Sequence, residues 1–433
     1  MAILDVACRL RSGELNLISY LADLCDRIES REAEIQALVP GTFDRSRISG
    51  EASKLLIQYP DPASRPPLFG VPVGIKDIFR VDGFPTRCGA KLPPHLFAGP
   101  EAASVSRLKA AGAIVTAKTV TTEFAWMEPG PTRNPYHLEH TPGGSSSGSA
   151  AGVAAGFFPF ALGTQTAGST IRPAAYCGIV GLKPSFDRIS TAGVIPFSPS
   201  ADHVGIFCPD PSGLSLLMSV LAEGWMPTPT KNDGGHKSMV LGVPDGPYLA
   251  QATGNAIQHF QKQLAKLQDG GHLIRHVSAF PQVEAVNERH MEMITGEMAR
   301  VHSQWFKDFS SLYRPRTVQT IEKGRKMPVR ELEILRAGRL LLRKEIEEKM
   351  ESEQLDLWIA PSTTDHAPRG LESTGSPVMN IPWTYAGLPT VSLPAGLNEA
   401  NLPLGIQIVG RFWKDEDLVA SAEALFSALR SSP

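Results

Sequence analysis

The chain has no surplus of charge and no cysteines at metal-binding spacing, and these two shortages already exclude whole classes of function. Its 42 basic residues nearly cancel 44 acidic ones, leaving a formal net charge of -2. No Lys/Arg-dense run forms a stripe that could follow a phosphate backbone, so nucleic acid is not an expected partner. The five cysteines, Cys8, Cys25, Cys88, Cys177 and Cys208, are odd in number and scattered, with no C-x-x-C among them. Zinc or a redox couple is therefore not expected, and a reducing compartment is. Long apolar runs are missing as well. The opening "MAILDVACRLRSGEL" is broken by Asp5 and followed by charge, so neither a signal peptide nor a membrane span is expected and the expected location is the cytoplasm. His137 and His140 stand as H-x-x-H without the H-E-x-x-H pattern or a further ligand cluster. No metal and no cofactor are expected.

What is present is a chain of 433 residues, 42% hydrophobic, long enough for one large core or two modest ones. Leu17, Leu21, Leu24 and Ile28 recur at helical spacing, as do Ile257, Phe260, Leu264 and Leu267, and Leu418, Ala422, Leu425 and Leu429. Between such segments lie short apolar runs bounded by Gly and Pro at 70–75, 113–118, 238–244, 355–361 and 404–410, which read as strands buried on both faces. The expected fold is α/β, a large mixed, mostly parallel sheet covered by helices on both faces. Strands of this type near both ends of the chain favour one domain over residues 1–433. Residues 211–350 are dominated by helical patterns and are expected to form a layer or cap within it. The Pro/Gly-rich stretch 227–237 is the best candidate boundary.

Two Gly/Ser-rich stretches interrupt this pattern. "TPGGSSSGSA", Thr141 to Ala150, has the composition of a linker. It is wedged, however, between "NPYHLEH" and a small-residue helix pattern suited to close backbone approach. "GTQTAGST", 163–170, follows the apolar "FFPFAL" and precedes "IRPAAYCG", which places Ser169 close to a strand-to-helix transition where backbone N–H groups can face an oxyanion. A third feature is Lys76, at the end of the apolar run "VPVGIK". A lysine there is costly unless paired or deprotonated, and a neutral amine is a competent base.

Together with "PWTYAGLPTVSLPAG" and "LPLGIQIVG", these segments resemble the amidase signature family of serine hydrolases, and the resemblance runs from about Leu10 to nearly the C-terminus. The intervals agree with the family pattern, 69 residues from Lys76 to Ser145 and 24 from Ser145 to Ser169. The resemblance implies a Ser-cisSer-Lys triad in which Lys76 is the base, Ser145 relays the proton and enters through a cis peptide, and Ser169 is the nucleophile. It also implies an oxyanion hole from the backbone N–H groups of Thr166, Ala167, Gly168 and Ser169. Asn134, Pro135 and Arg172 fall on positions that order the loops, and Asp202 on a structural element, so Asp202-His203 is not read as part of a Ser-His-Asp triad. Gln165 stands where the family has an acid, Ala167 and Ser147 where it has glycine, and Thr170 displaces the arginine to Arg172.

Two segments are expected to line the pocket, "TTEFAWMEPGP" with Phe124, Trp126 and Met127, and "STGSPVMNIPWTYAG" with Met379, Trp383 and Tyr385. Their aromatic and sulfur-rich character suits a small, neutral, rather hydrophobic amide, anilide or carbamate, with esters as side substrates. The alternative is a glutaminase subunit of a tRNA-dependent amidotransferase, which would require partner subunits. A catalytically silent binding module is a further rival, disfavoured by the intact Lys/Ser/Ser set. A homodimer is the oligomer the resemblance suggests.

Overall fold

The structure is a computed structural model that describes residues 2–228 and 238–430. Most of the expected boundary at 227–237 lies outside the described residues. One ten-stranded sheet organises the chain, in the order β2-β1-β3-β5-β4-β9-β10-β8-β6-β7. The strands are β1 Pro72–Lys76, β2 Ile114–Thr119, β3 Phe160–Gln165, β4 Val180–Lys183, β5 His203–Cys208, β6 Val240–Asp245, β7 Leu273–Ser278, β8 Leu357–Pro361, β9 Thr390–Leu397 and β10 Pro403–Val409. The sheet is mixed. β1 runs parallel to β2 and β3, and β6 parallel to β7 and β8, while the five pairings from β3 through to β8 are antiparallel. At the centre β5 and β4, from the middle of the chain, lie beside β9 and β10 from near its end, and β1 and β2 extend one side, so both ends of the chain supply strands to one sheet.

Fourteen α-helices lie among the described residues. They are α1 Ile3–Ser12, α2 Leu17–Ile35, α3 Arg45–Gln58, α4 Ala103–Ala110, α5 Ser147–Ala154, α6 Ile171–Tyr176, α7 Leu214–Leu221, α8 Gly254–Asp269, α9 Val283–Val301, α10 Ser303–Phe309, α11 Pro315–Gly324, α12 Val329–Ser352, α13 Ile381–Tyr385 and α14 Asp415–Arg430. Alternation along the strands divides the core in two. Phe160 and Leu162 of β3 join the larger cluster, while Ala161 between them joins a smaller one with Leu24 and Ile28 of α2, Ala150 and Ala151 of α5, and Phe207 of β5. Helices therefore cover both faces. Residues 211–350 hold α7 to most of α12 but also carry β6 and β7 into the main sheet.

Glycine is required where α5 meets β2. A Cβ on Gly148 would sit 2.1 Å from the Ala37 carbonyl oxygen and 2.4 Å from the Val120 nitrogen, both backbone atoms that cannot step aside. Gly148→Ala is accordingly expected to destabilise the protein by about 1–3 kcal/mol, read as a lower midpoint in chemical denaturation. An unchanged midpoint would show that the packing here is looser than these distances.

Candidate active site

β1 ends on Lys76, which is fully buried. Its Nζ lies 2.7 Å from Ser145 Oγ and 2.8 Å from Thr164 Oγ1, the latter near the end of the adjacent strand β3. Burial drives the Lys76 amine well below its ordinary value, opposed only in part by the negative charge of Asp202. The amine is therefore neutral well below the pH at which a solvated lysine loses its proton.

The segment 141–149 is not a linker, because each of its serines is committed. Ser146 Oγ donates to the Thr164 carbonyl and accepts from the Thr164 N–H, both at 3.2 Å. Ser147 Oγ donates to the Gly143 carbonyl at 2.8 Å and Ser149 Oγ to the Leu162 carbonyl at 2.9 Å. The Gly144-Ser145 peptide is cis. Both flanking carbonyls are held, Gly144 O by Arg172 Nη2 at 2.7 Å and Ser145 O by the Thr122 N–H at 3.2 Å. Arg172 follows Ser169 by three residues, so this one bond ties the Ser145 loop to the turn that carries the second serine.

That turn, 166–170, joins β3 to α6, and its carbonyls are occupied one after another. His203 Nδ1 lies 3.2 Å from the Gln165 carbonyl oxygen, His290 Nε2 of α9 lies 2.9 Å from that of Thr166, Thr384 Oγ1 of α13 donates to Ala167 O at 2.7 Å, and the Arg172 N–H donates to Gly168 O at 3.1 Å. Burial lowers His290 to about 3, so the ring is neutral and its Nε2 must carry the proton it gives to Thr166 O. By contrast, the N–H groups of Ala167, Gly168 and Ser169 donate to no acceptor among the described residues. With its carbonyls tied outward, the turn presents donors alone. Ser169 is nearly buried and its Oγ makes no hydrogen bond among the described residues.

Gln165 explains its own departure from an acid. Its Oε1 accepts from the N–H groups of Thr170 and Ile171 at 2.8 and 3.0 Å, and its Nε2 donates to Thr384 Oγ1 at 2.9 Å. A carboxylate could make the first two bonds but not the third. Asp202 accepts from Thr166 Oγ1 at 2.6 Å and from the Phe197 and Ser198 N–H groups at 2.8 and 3.0 Å, which agrees with a structural reading. Burial raises it to about 6. His203 turns its Nδ1 to the Ala201 carbonyl and leaves Nε2 buried, so the adjacent pair does not act on either serine. His137 and His140 stack edge to face, and His140 Nδ1 lies 2.7 Å from the Ala367 carbonyl oxygen.

A cavity of about 60 Å³ adjoins Thr164, Thr166 and Asp202, with Ile78, Ala125, Val194, Ile195 and Phe197 as apolar wall. The six residues expected to line a pocket fare unequally. Trp126 stacks on Phe197 at 5.1 Å and so backs the wall. Met127 is half exposed. Phe124 is enclosed by Phe97, His302, Trp305 and Tyr313. Met379, Trp383 and Tyr385 have no exposed surface at all. Trp383 Nε1 donates to the Tyr248 hydroxyl, which donates to the Met379 carbonyl. These four are corrected from lining to core, because burial and substrate contact select the same apolar side chains and a sequence does not distinguish them.

The fold is shared with solved amidase structures. A structure described as an amidase superposes with a TM-score of 0.88 at 29% identity, covering 98% of this chain and 99% of that one. A peptide amidase in complex with the competitive inhibitor chymostatin gives 0.85 at 25% identity, covering all of this chain and 98% of the other. The sequence model of the Amidase family matches residues 19–419, and the chain belongs to that family. Among curated proteins it is similar to a glutamyl-tRNA(Gln) amidotransferase subunit from Roseiflexus sp. (strain RS-1), at 29% identity over 98% of this chain and 95% of that one. No helix among the described residues is long and apolar enough to cross a membrane.

Proposed function

We propose that this protein is an amidohydrolase that cleaves the C–N bond of a neutral, rather hydrophobic amide, anilide or carbamate through an acyl-enzyme on Ser169. The observation that carries the reading is the buried Lys76 amine, held well below its ordinary value by burial, against Ser145 Oγ at 2.7 Å. With its N–H directed to Thr164, the amine's lone pair accepts the Ser145 proton, and Ser145 accepts that of Ser169 as Ser169 Oγ attacks the carbonyl. The free N–H groups of 167–169 receive the oxyanion, each worth about 3 kcal/mol. The proton then returns through Ser145 to the departing nitrogen, and water attacks the ester so formed. A fluorophosphonate probe should label Ser169 alone, as found by peptide mapping; label on any other serine refutes the assignment.

The relatives' name supports a second reading, release of ammonia from glutamine for a partner enzyme. Glutamine carries an ammonium and a carboxylate, whereas the cavity wall is apolar and its one carboxylate, Asp202, is already bound by three donors. Turnover of an aryl anilide by the isolated chain, with no glutaminase activity, would favour the first reading; the reverse result would favour the second.

The acid limb of the pH profile tests Lys76. Activity requires the neutral amine, so kcat/KM should rise with pH through the Lys76 ionisation. Asp202 opposes the shift caused by burial, so Asp202→Asn, which removes that charge, should move the acid limb to lower pH. A limb that stays in place or moves upward would mean that another group controls it.

A further inference from the structure

We propose, on the amidohydrolase reading given above, that Glu297 of α9 is the positioning residue that fixes the size of the acyl group this site accepts, by holding the wall segment 194–202 against the turn that carries Ser169. Six of the eleven residues around the cavity of about 60 Å³ belong to that segment. None of residues 195–202 lies in a helix or strand, so side chains must hold the wall in place. Glu297 does this. Its carboxylate is 1% exposed and accepts four hydrogen bonds, from Ser198 Oγ at 2.6 Å, the Ser200 N–H at 2.9 Å, Ser200 Oγ at 2.6 Å and Arg336 Nε of α12 at 2.5 Å. Burial pushes this carboxyl up, but the four donors outweigh it and hold it below its ordinary value. No other group from outside the segment hydrogen-bonds residues 196–200 among the described residues.

The turn that carries Ser169 hangs from the same helix. His290, two helical turns before Glu297, has its Nε2 2.9 Å from Thr166 O, Thr166 Oγ1 donates to Asp202 at 2.6 Å, and Asp202 accepts from the Ser198 N–H at 3.0 Å. With the Ser198 Oγ bond to Glu297, these contacts close a ring from α9 to the turn, to the wall and back to α9. Seven residues of rigid helix, about 10 Å, fix its span. In the proposed reaction the acyl part stays on Ser169 while the amine departs, so the walled cavity is assigned to the acyl part. At about 60 Å³ it is well below the roughly 150 Å³ of a cavity that takes up benzene, which favours an acetyl over a benzoyl group.

Acetyl and benzoyl para-nitroanilides test the assignment. Wild type should favour the acetyl substrate at least about tenfold in kcat/KM. In Glu297→Gln, whichever oxygen becomes the amide nitrogen meets the Ser200 N–H or Arg336 Nε, donor against donor, so the wall is released and the preference should fall at least about fivefold. This ratio does not depend on how much of the enzyme is folded, so a merely structural role for Glu297 would leave it unchanged. Ser200→Ala should lower the ratio in the same direction, and Ser200→Thr, which keeps the hydroxyl, should preserve it; this pair keeps the test decisive if Glu297→Gln does not fold. A fluorophosphonate separates the two levels of the proposal. A wild type that takes no label on Ser169 overturns the amidohydrolase reading and the role of Glu297 with it. A labelled wild type without the acetyl preference, or with a preference that neither Glu297→Gln nor Ser200→Ala lowers, overturns the role of Glu297 alone.

Discussion

Lys76→Met will reduce amide turnover by about three to four orders of magnitude and at the same time make the protein more stable at neutral pH. Methionine fills nearly the same volume, so the fully buried site is neither emptied nor overpacked. What disappears is the lone pair that receives the Ser145 proton in the proposed relay. In the proposed relay Lys76, Ser145 and Ser169 act as a unit, so Lys76→Met combined with Ser169→Ala should be scarcely worse than either change alone. The stability half follows from linkage. The folded Lys76 pKa lies well below the ordinary 10.5, so between the folded and unfolded values the unfolded chain holds a proton that the folded one has given up, and folding is penalised. That penalty shrinks as pH rises towards the unfolded value. Methionine abolishes it, so the variant's advantage should be fully present below the folded Lys76 value and fade as pH rises towards about 10. Thermal denaturation at two pH values measures this directly. A variant that is inactive and also less stable would mean that Lys76 serves the fold, and the catalytic assignment would lose its physical basis.

The part of the site legible in the sequence is the part encoded locally. A lysine ending an apolar strand, glycines before a serine, and a Gly/Ser turn between strand and helix each leave a trace within ten residues, and all three lie at the same end of neighbouring strands. The parts that were not legible are contributed from a distance. His290 and Thr384 hold the carbonyls of Thr166 and Ala167 from 124 and 217 residues away, and nothing in their immediate surroundings marks them. Thr164 was hidden differently. It is an ordinary strand residue whose hydroxyl matters only because β1 and β3 are neighbours. The fold divides in the same way. Strands with continuous apolar runs, such as β1 and β10, stand out, whereas β7 at the sheet's edge reads "LIRHVS" and has only Val277 buried. An edge strand lacks the two-sided burial that makes a strand visible in sequence.

Lys118→Met is expected to cost about 3–5 kcal/mol of stability, the opposite of the change at Lys76, although both lysines are buried near the ends of adjacent parallel strands. The difference lies in what each one faces. Lys118 Nζ is 2.7 Å from Asp77 Oδ1, with the two side chains 0% and 2% exposed. The same carboxylate accepts the Arg87 N–H at 3.1 Å. Removing the lysine therefore strands a carboxylate in the interior, whereas removing Lys76 strands nothing charged. Since Asp77 follows Lys76 directly, relaxation around it should also displace the proposed base, and turnover should fall along with stability. The double variant Asp77→Leu, Lys118→Met should recover much of the loss, because replacing both partners removes the desolvation penalty together with the attraction. Burial already raises Asp77 above the usual carboxylate value despite the lysine's opposing charge. Without that charge Asp77 will rise further and take up a proton in the folded state, where the unfolded chain would still be ionised. Folding then gains stability as pH falls through this range, so the deficit of Lys118→Met should narrow in mild acid. A deficit independent of pH would mean that the lost contact is one of packing and not of charge.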